Sequence, residues 1–121
     1  LIEIPIQGWT DRTWFDSHKL SDPEAYANWR KNYGHRPLPK GWKCPWTEPE
    51  ALKEWIKANL ACLDYAYEHR LLWVLGWHPY SHYLHDPDNQ MLPAILEAAS
   101  QKPEKVWICT LRDVIQCIVD E

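Results

Sequence analysis

A chain of 121 residues has room for one domain and can bury a core of reasonable size. Thirteen Lys and Arg against seventeen Asp and Glu give a net charge of −4 with both signs interspersed, which leaves no basic stripe and excludes nucleic acid as the partner. No apolar run approaches the roughly 20 residues needed to span a bilayer, and an aromatic content of 13% is not that of a disordered chain.

In chain order, Ile2, Ile4 and Ile6 alternate as in a strand, with Pro5 suiting an edge. The sequence starts at Leu1 inside this apparent strand and so reads as a piece of something longer, in which a missing amino terminus leaves a signal peptide open. Residues 7–16, including Trp9 and Asp11, mix aromatics with acids without a period and read as a loop. Residues 17–47 are irregular. Asp22 and Pro23 start a short helix ending at Gly34, and three prolines with Trp42 and Trp46 then form an ordered insertion suited to a lid or contact surface.

Thr47, Pro49 and Glu50 have the spacing of a capping box. Leu52, Trp55, Ile56, Leu60, Leu63, Ala66 and Tyr67 continue it as one apolar helical stripe with Asn59 at its margin, closing near His69 and Arg70, whose charges suit the helix dipole. Residues 71–77 are an apolar run that reads as a buried strand, stopped by Pro79 immediately after His78. A loop to Asp88, a helix over 90–100 capped by Asp88 or Asn89, a strand at Val106 to Cys109 and a last helix from Thr110 complete the pattern. Leu111, Val114, Ile115 and Ile118 are the buried face expected of that last helix. Strands alternating with helices call for an α/β fold with a parallel sheet, in which chemistry gathers at the carboxyl ends of the strands, where His78 stands.

The four cysteines, Cys44, Cys62, Cys109 and Cys117, form no C-x-x-C pair and read as free thiols, which points to a reducing, cytoplasmic setting. His78, His82 and His85 contain an H-x-x-x-H spacing that would place two zinc ligands on one helical turn. Pro79 and the strand before it argue against a regular helix there. No metal site is assigned, and His82 and His85 take surface or supporting roles.

The stretch from Leu1 to Pro5, then Trp9 and Asp11, the strand ending in His78-Pro79, the segment 92–99, and Val106-Trp107-Ile108-Cys109-Thr110 together resemble the carboxyl-terminal half of polysaccharide deacetylases of the NodB-homology type, carbohydrate esterase family 4. The likeness covers residues 1–16 and 70–121, with 17–47 as a variable insertion. It implies a single domain over 1–121 that is part of a distorted (β/α) barrel, with parallel strands and flanking helices. The implied activity is hydrolysis of an amide, typically the N-acetyl group of an amino-sugar polymer. The resemblance also implies a divalent metal, zinc or similar, whose ligands belong to the other half of the barrel and match nothing in this chain.

His78 matches the family's late histidine, which protonates the departing amine, and an imidazolium is suited to that step. Trp9 and Asp11 match residues bordering the pocket, and Trp77 and Tyr80 are added as flat surfaces for a sugar ring. The incomplete site predicts an oligomer or association with a missing half-domain, since a cut parallel sheet leaves unpaired edges. Two alternatives stand beside this: a hydrolase of small cyclic amides, resembling allantoinases, which predicts a deep closed pocket, and a non-catalytic carbohydrate-binding module, which predicts tryptophans exposed in a row. The barrel half predicts instead that Trp55, Trp73 and Trp107 are buried.

Overall fold

The computed structural model describes residues 10–34 and 36–120, and among them the protein is helical. The elements are α1 (Asp11–His18), α2 (Pro23–Tyr33), α3 (Ala51–Glu68), α4 (Pro79–His85), α5 (Met91–Ser100) and α6 (Leu111–Asp120). No strand is present among the described residues, and the isolated antiparallel bridge between Leu20 and Thr47 is the only such pairing there. The expected α/β barrel half with parallel strands is therefore overturned. The strand expected over Leu1 to Ile6, and Trp9 with it, lies outside the described residues.

The reason is visible in residues 71–78. They form a strap between α3 and α4 that belongs to no helix and joins no ladder among the described residues. Leu71 N–H turns back to the Ala66 carbonyl and His78 N–H goes to the Asp11 carboxylate. Trp73 and Leu75, two residues apart, pack on the core, while Leu71 and Leu72 stay exposed. A continuous apolar run was read as two-sided burial, whereas residues 73–76 are only half-buried and the ends of the run are exposed. The Val106 to Cys109 segment repeats this, with Val106 packed and Trp107 and Ile108 at 59% and 62% exposure.

The main core joins Phe15 of α1, Ala51, Trp55 and Leu63 of α3, and Met91, Ile95 and Ala99 of α5. The periodic stripe of α3 does pack as expected, and Asn59 at its margin is buried, donating Nδ2 to the Trp55 carbonyl at 2.8 Å. The capping box does not form at its start. Thr47 Oγ1 lies 2.6 Å from His85 Nδ1 instead, and α3 begins at Ala51 without a side-chain cap. A reciprocal box is found at α6: Thr110 Oγ1 accepts from Asp113 N–H at 3.2 Å, and Asp113 Oδ2 accepts from Thr110 N–H at 2.8 Å. The buried face expected of α6 is absent, for Val114 is buried while Leu111, Ile115 and Ile118 are exposed.

The expected insertion at 17–47 makes a second core. Leu20, Tyr26 and Cys44 meet Leu84 of α4, with Trp29, Trp42 and Trp46 stacked around them; the Trp29 and Trp42 rings lie 4.9 Å apart at 14°. Asp22 caps α2 by accepting from Ala25 N–H, and Gly34 ends it, as the sequence indicates. Two segments read as loops are helices. Thr10 caps α1 through Thr13 N–H, and Pro79 opens α4 at a position where its missing N–H costs nothing.

Candidate functional site

Helices α1 and α4 pack against each other, and that contact makes the site. Asp11, in the first turn of α1, is 1% exposed. Its carboxylate accepts the His78 backbone N–H at 3.0 and 2.9 Å and the His78 Nδ1–H at 2.8 Å. A carboxylate only accepts, so the proton on Nδ1 is fixed by this partner and Nε2 is left as the outward nitrogen. The His78 side chain is 52% exposed. A buried acceptor thus orients an imidazole whose other nitrogen faces solvent, which suits proton transfer to or from a bound molecule.

The expected site residues fall as follows. Asp11 is buried beneath His78 and turned away from solvent, so it orients the histidine where a substrate contact was expected. Trp77 is partly exposed beside it and stacks on His82, with ring centres 5.9 Å apart at 28°. Tyr80 is partly exposed too, with the Arg30 guanidinium 5.9 Å from its ring centre. Burial pushes the Tyr80 phenol up, against the opposing charge of Arg30. Trp9 lies outside the described residues, so its place beside His78 is not defined.

The three histidines go to three different neighbours. His78 is the N-cap of α4 and faces Asp11. His82 Nε2 is 3.2 Å from Asn89 Oδ1. His85, expected in a surface or supporting role, has a side-chain exposure of 0% and faces Asp16. Among the described residues no group of three His, Cys, Asp or Glu side chains could hold a metal ion. The divalent metal implied by the resemblance thus finds no donor set among the described residues.

Sequence reasoning missed a second polar group at the other end of α4. Asp16 accepts from the Tyr26 hydroxyl at 3.0 Å and from Arg30, lies 3.7 Å from Arg12 Nε, and has His85 Nε2 at 3.7 Å. Burial alone would raise the Asp16 carboxyl, but the facing His85, the Tyr26 hydroxyl and the Arg30 charge outweigh it and hold the carboxyl below its ordinary value. Burial, together with the adjacent Asp16 carboxylate, pushes the Tyr26 phenol well up, so Tyr26 stays a hydrogen-bond donor. The signal that could have found this group was Thr10-Asp11, a capping residue before an acidic first turn. Read as a helix, residues 11–18 carry two carboxylates toward one neighbour.

All four cysteines are free thiols, Cys44 being buried and Cys117 exposed. No helix among the described residues is long and apolar enough to cross a membrane. No known protein-family model, curated protein or solved structure matches the chain.

Proposed function

We propose that this chain is the proton-donating part of an amide hydrolase resembling the polysaccharide deacetylases, with His78 as general acid and Asp11 as the group that orients it. The carrying observation is the bond from His78 Nδ1 to the buried Asp11 carboxylate at 2.8 Å, with the imidazole half in solvent. In the proposed step water adds to the amide carbon and the C–N bond breaks. The departing amine takes the Nε2 proton of the imidazolium, so nitrogen leaves as a neutral amine rather than as an anion. By the resemblance, a divalent metal would supply carbonyl polarisation and activation of water, and its ligands would have to come from residues other than those described. Exposed Trp107, Ile108 and Leu111 support the expected association with a missing half-domain.

A half-exposed imidazole favours an amino-sugar polymer over a small cyclic amide, which needs enclosure. Against a purely binding module stands the mutual stacking of Trp29, Trp42 and Trp46 over the second core, which leaves them poorly placed as a row of platforms. Free thiols at all four cysteines support a reducing, cytoplasmic setting.

The test is amine release from N-acetylglucosamine oligomers by the protein in its native assembly, with and without a chelator. His78→Gln is expected to lower kcat by about 10²- to 10⁴-fold with KM little changed, and chelation to abolish turnover. Full activity in His78→Gln, or no amine released by the native assembly, overturns the reading.

A further inference from the structure

The two ends of α4 are held against α1 by two Asp–His couples of different construction. Asp11 meets His78 at the start of α4, and Asp16 faces His85 at its end. The first couple is half in water. The second is closed: the His85 ring stacks on Phe15 at 4.3 Å and 9°, its Nδ1 lies 2.6 Å from Thr47 Oγ1, and its Nε2 faces Asp16 at 3.7 Å. With the Thr47 hydroxyl donating to Nδ1, the ring proton sits on Nε2, which faces Asp16 beyond hydrogen-bond distance and has no hydrogen-bond partner among the described residues, so the Asp16 contact is one of charge and proximity. Asp16 is itself fixed by Tyr26 and Arg30 of α2.

Water competes for the half-exposed His78 imidazole, though not for the buried Asp11 carboxylate, so the ring is the weaker side of this couple. Yet the Asp11 contacts require the start of α4 to be placed within a few tenths of an ångström, since hydrogen bonds weaken quickly with distance and angle. The seven residues of α4 form a rod about 10 Å long at 1.5 Å per residue. Fixing its far end and its axis fixes its start. Leu84 and Ser81 are buried on the same helix, but neither makes a directional contact to α1 that would set the register along it.

We propose that Asp16, His85 and Thr47 form a positioning group for His78, holding the carboxyl end of α4 so that the His78 imidazole stays within hydrogen-bond reach of Asp11. Its functional meaning rests on the reading of His78 as proton donor. Its geometric content is measurable without substrate.

The test is Thr47→Val, which removes the hydroxyl beside His85 and keeps the side-chain shape, with Thr47→Ser as conservative rescue. The readout is the His78 Nδ1 proton in the NMR spectrum, assigned by its loss in His78→Gln and its displacement in Asp11→Asn. In folded Thr47→Val that resonance is expected to broaden or vanish, and kcat to fall about tenfold to a hundredfold with KM within about twofold; Thr47→Ser retains both. Should Thr47→Val fail to fold, His85→Phe, whose ring keeps the stack on Phe15, is read in the same way. A resonance unchanged in position and intensity in the folded variant overturns the proposal. A resonance that responds in a protein releasing no amine leaves positioning standing and removes the proton-donor role. An unresponsive resonance in a protein whose turnover needs His78 does the reverse.

Discussion

Asp86 shows how much one buried carboxylate can organise. It is 2% exposed and accepts from Gln90 N–H at 2.8 Å and Met91 N–H at 2.9 Å, serving the open amides at the start of α5. The sequence pointed to Asp88 or Asn89 for this task, because local spacing does not show which carboxylate the chain turns back. Asp86→Ala is expected to cost about 2 kcal/mol in urea denaturation, and a loss under about 0.5 kcal/mol would remove the cap from the account. Asp16 gives the pH-dependent counterpart. Its carboxyl titrates below 3.8 in the folded chain, so its contribution to stability is present above that value and drains away as pH falls through the lower folded-state value. Asp16→Asn is therefore expected to flatten the fall of the urea midpoint below about pH 4. An unchanged slope would show that other carboxylates carry the acid limb. At this scale His78 was legible as the end of an apolar run, whereas Asp11 as its partner was not. The two are 67 positions apart, and only the packing of α1 on α4 joins them.

Helices with strong periodicity were legible as elements. The stripe of α3 and the Asp22-Pro23 start of α2 both correspond to what folds, since each is decided by residues within a few turns. The segments expected as strands were misread because periodicity reports that side chains are apolar and says nothing about how many layers cover them. Trp107 illustrates the point: it was expected in a barrel interior and is exposed, while Trp55 is buried and packs beside Trp14 and Phe15. The two ends of this range have different stabilities at stake. Trp55→Ala is expected to cost about 3–5 kcal/mol, and Ile118→Lys on the open face of α6 to change stability by no more than about 0.5 kcal/mol. Chemical denaturation of both variants checks this, and a large loss from Ile118→Lys would place α6 inside the cooperative core.

In the whole molecule, two cores share α4. Leu84 belongs to the tryptophan-rich cluster, and His85, the next residue, stacks on Phe15 of the main core. The expected insertion at 17–47 is therefore no appendage, since Cys44 N–H bonds the Leu84 carbonyl and Thr47 reaches His85. Only a three-dimensional arrangement reveals this, because these contacts cross about a third of the chain. The same separation has a consequence in time. Contacts within α3 are local and those between α3 and α5 bridge the strap and α4, whereas the 67-position span from Asp11 to His78 closes a longer loop and carries the larger entropy of closure. During refolding, helical circular dichroism should recover first and the His78 Nδ1 proton signal last. Translation imposes the same sequence of events, because α1 leaves the ribosome well before α4 exists to receive it.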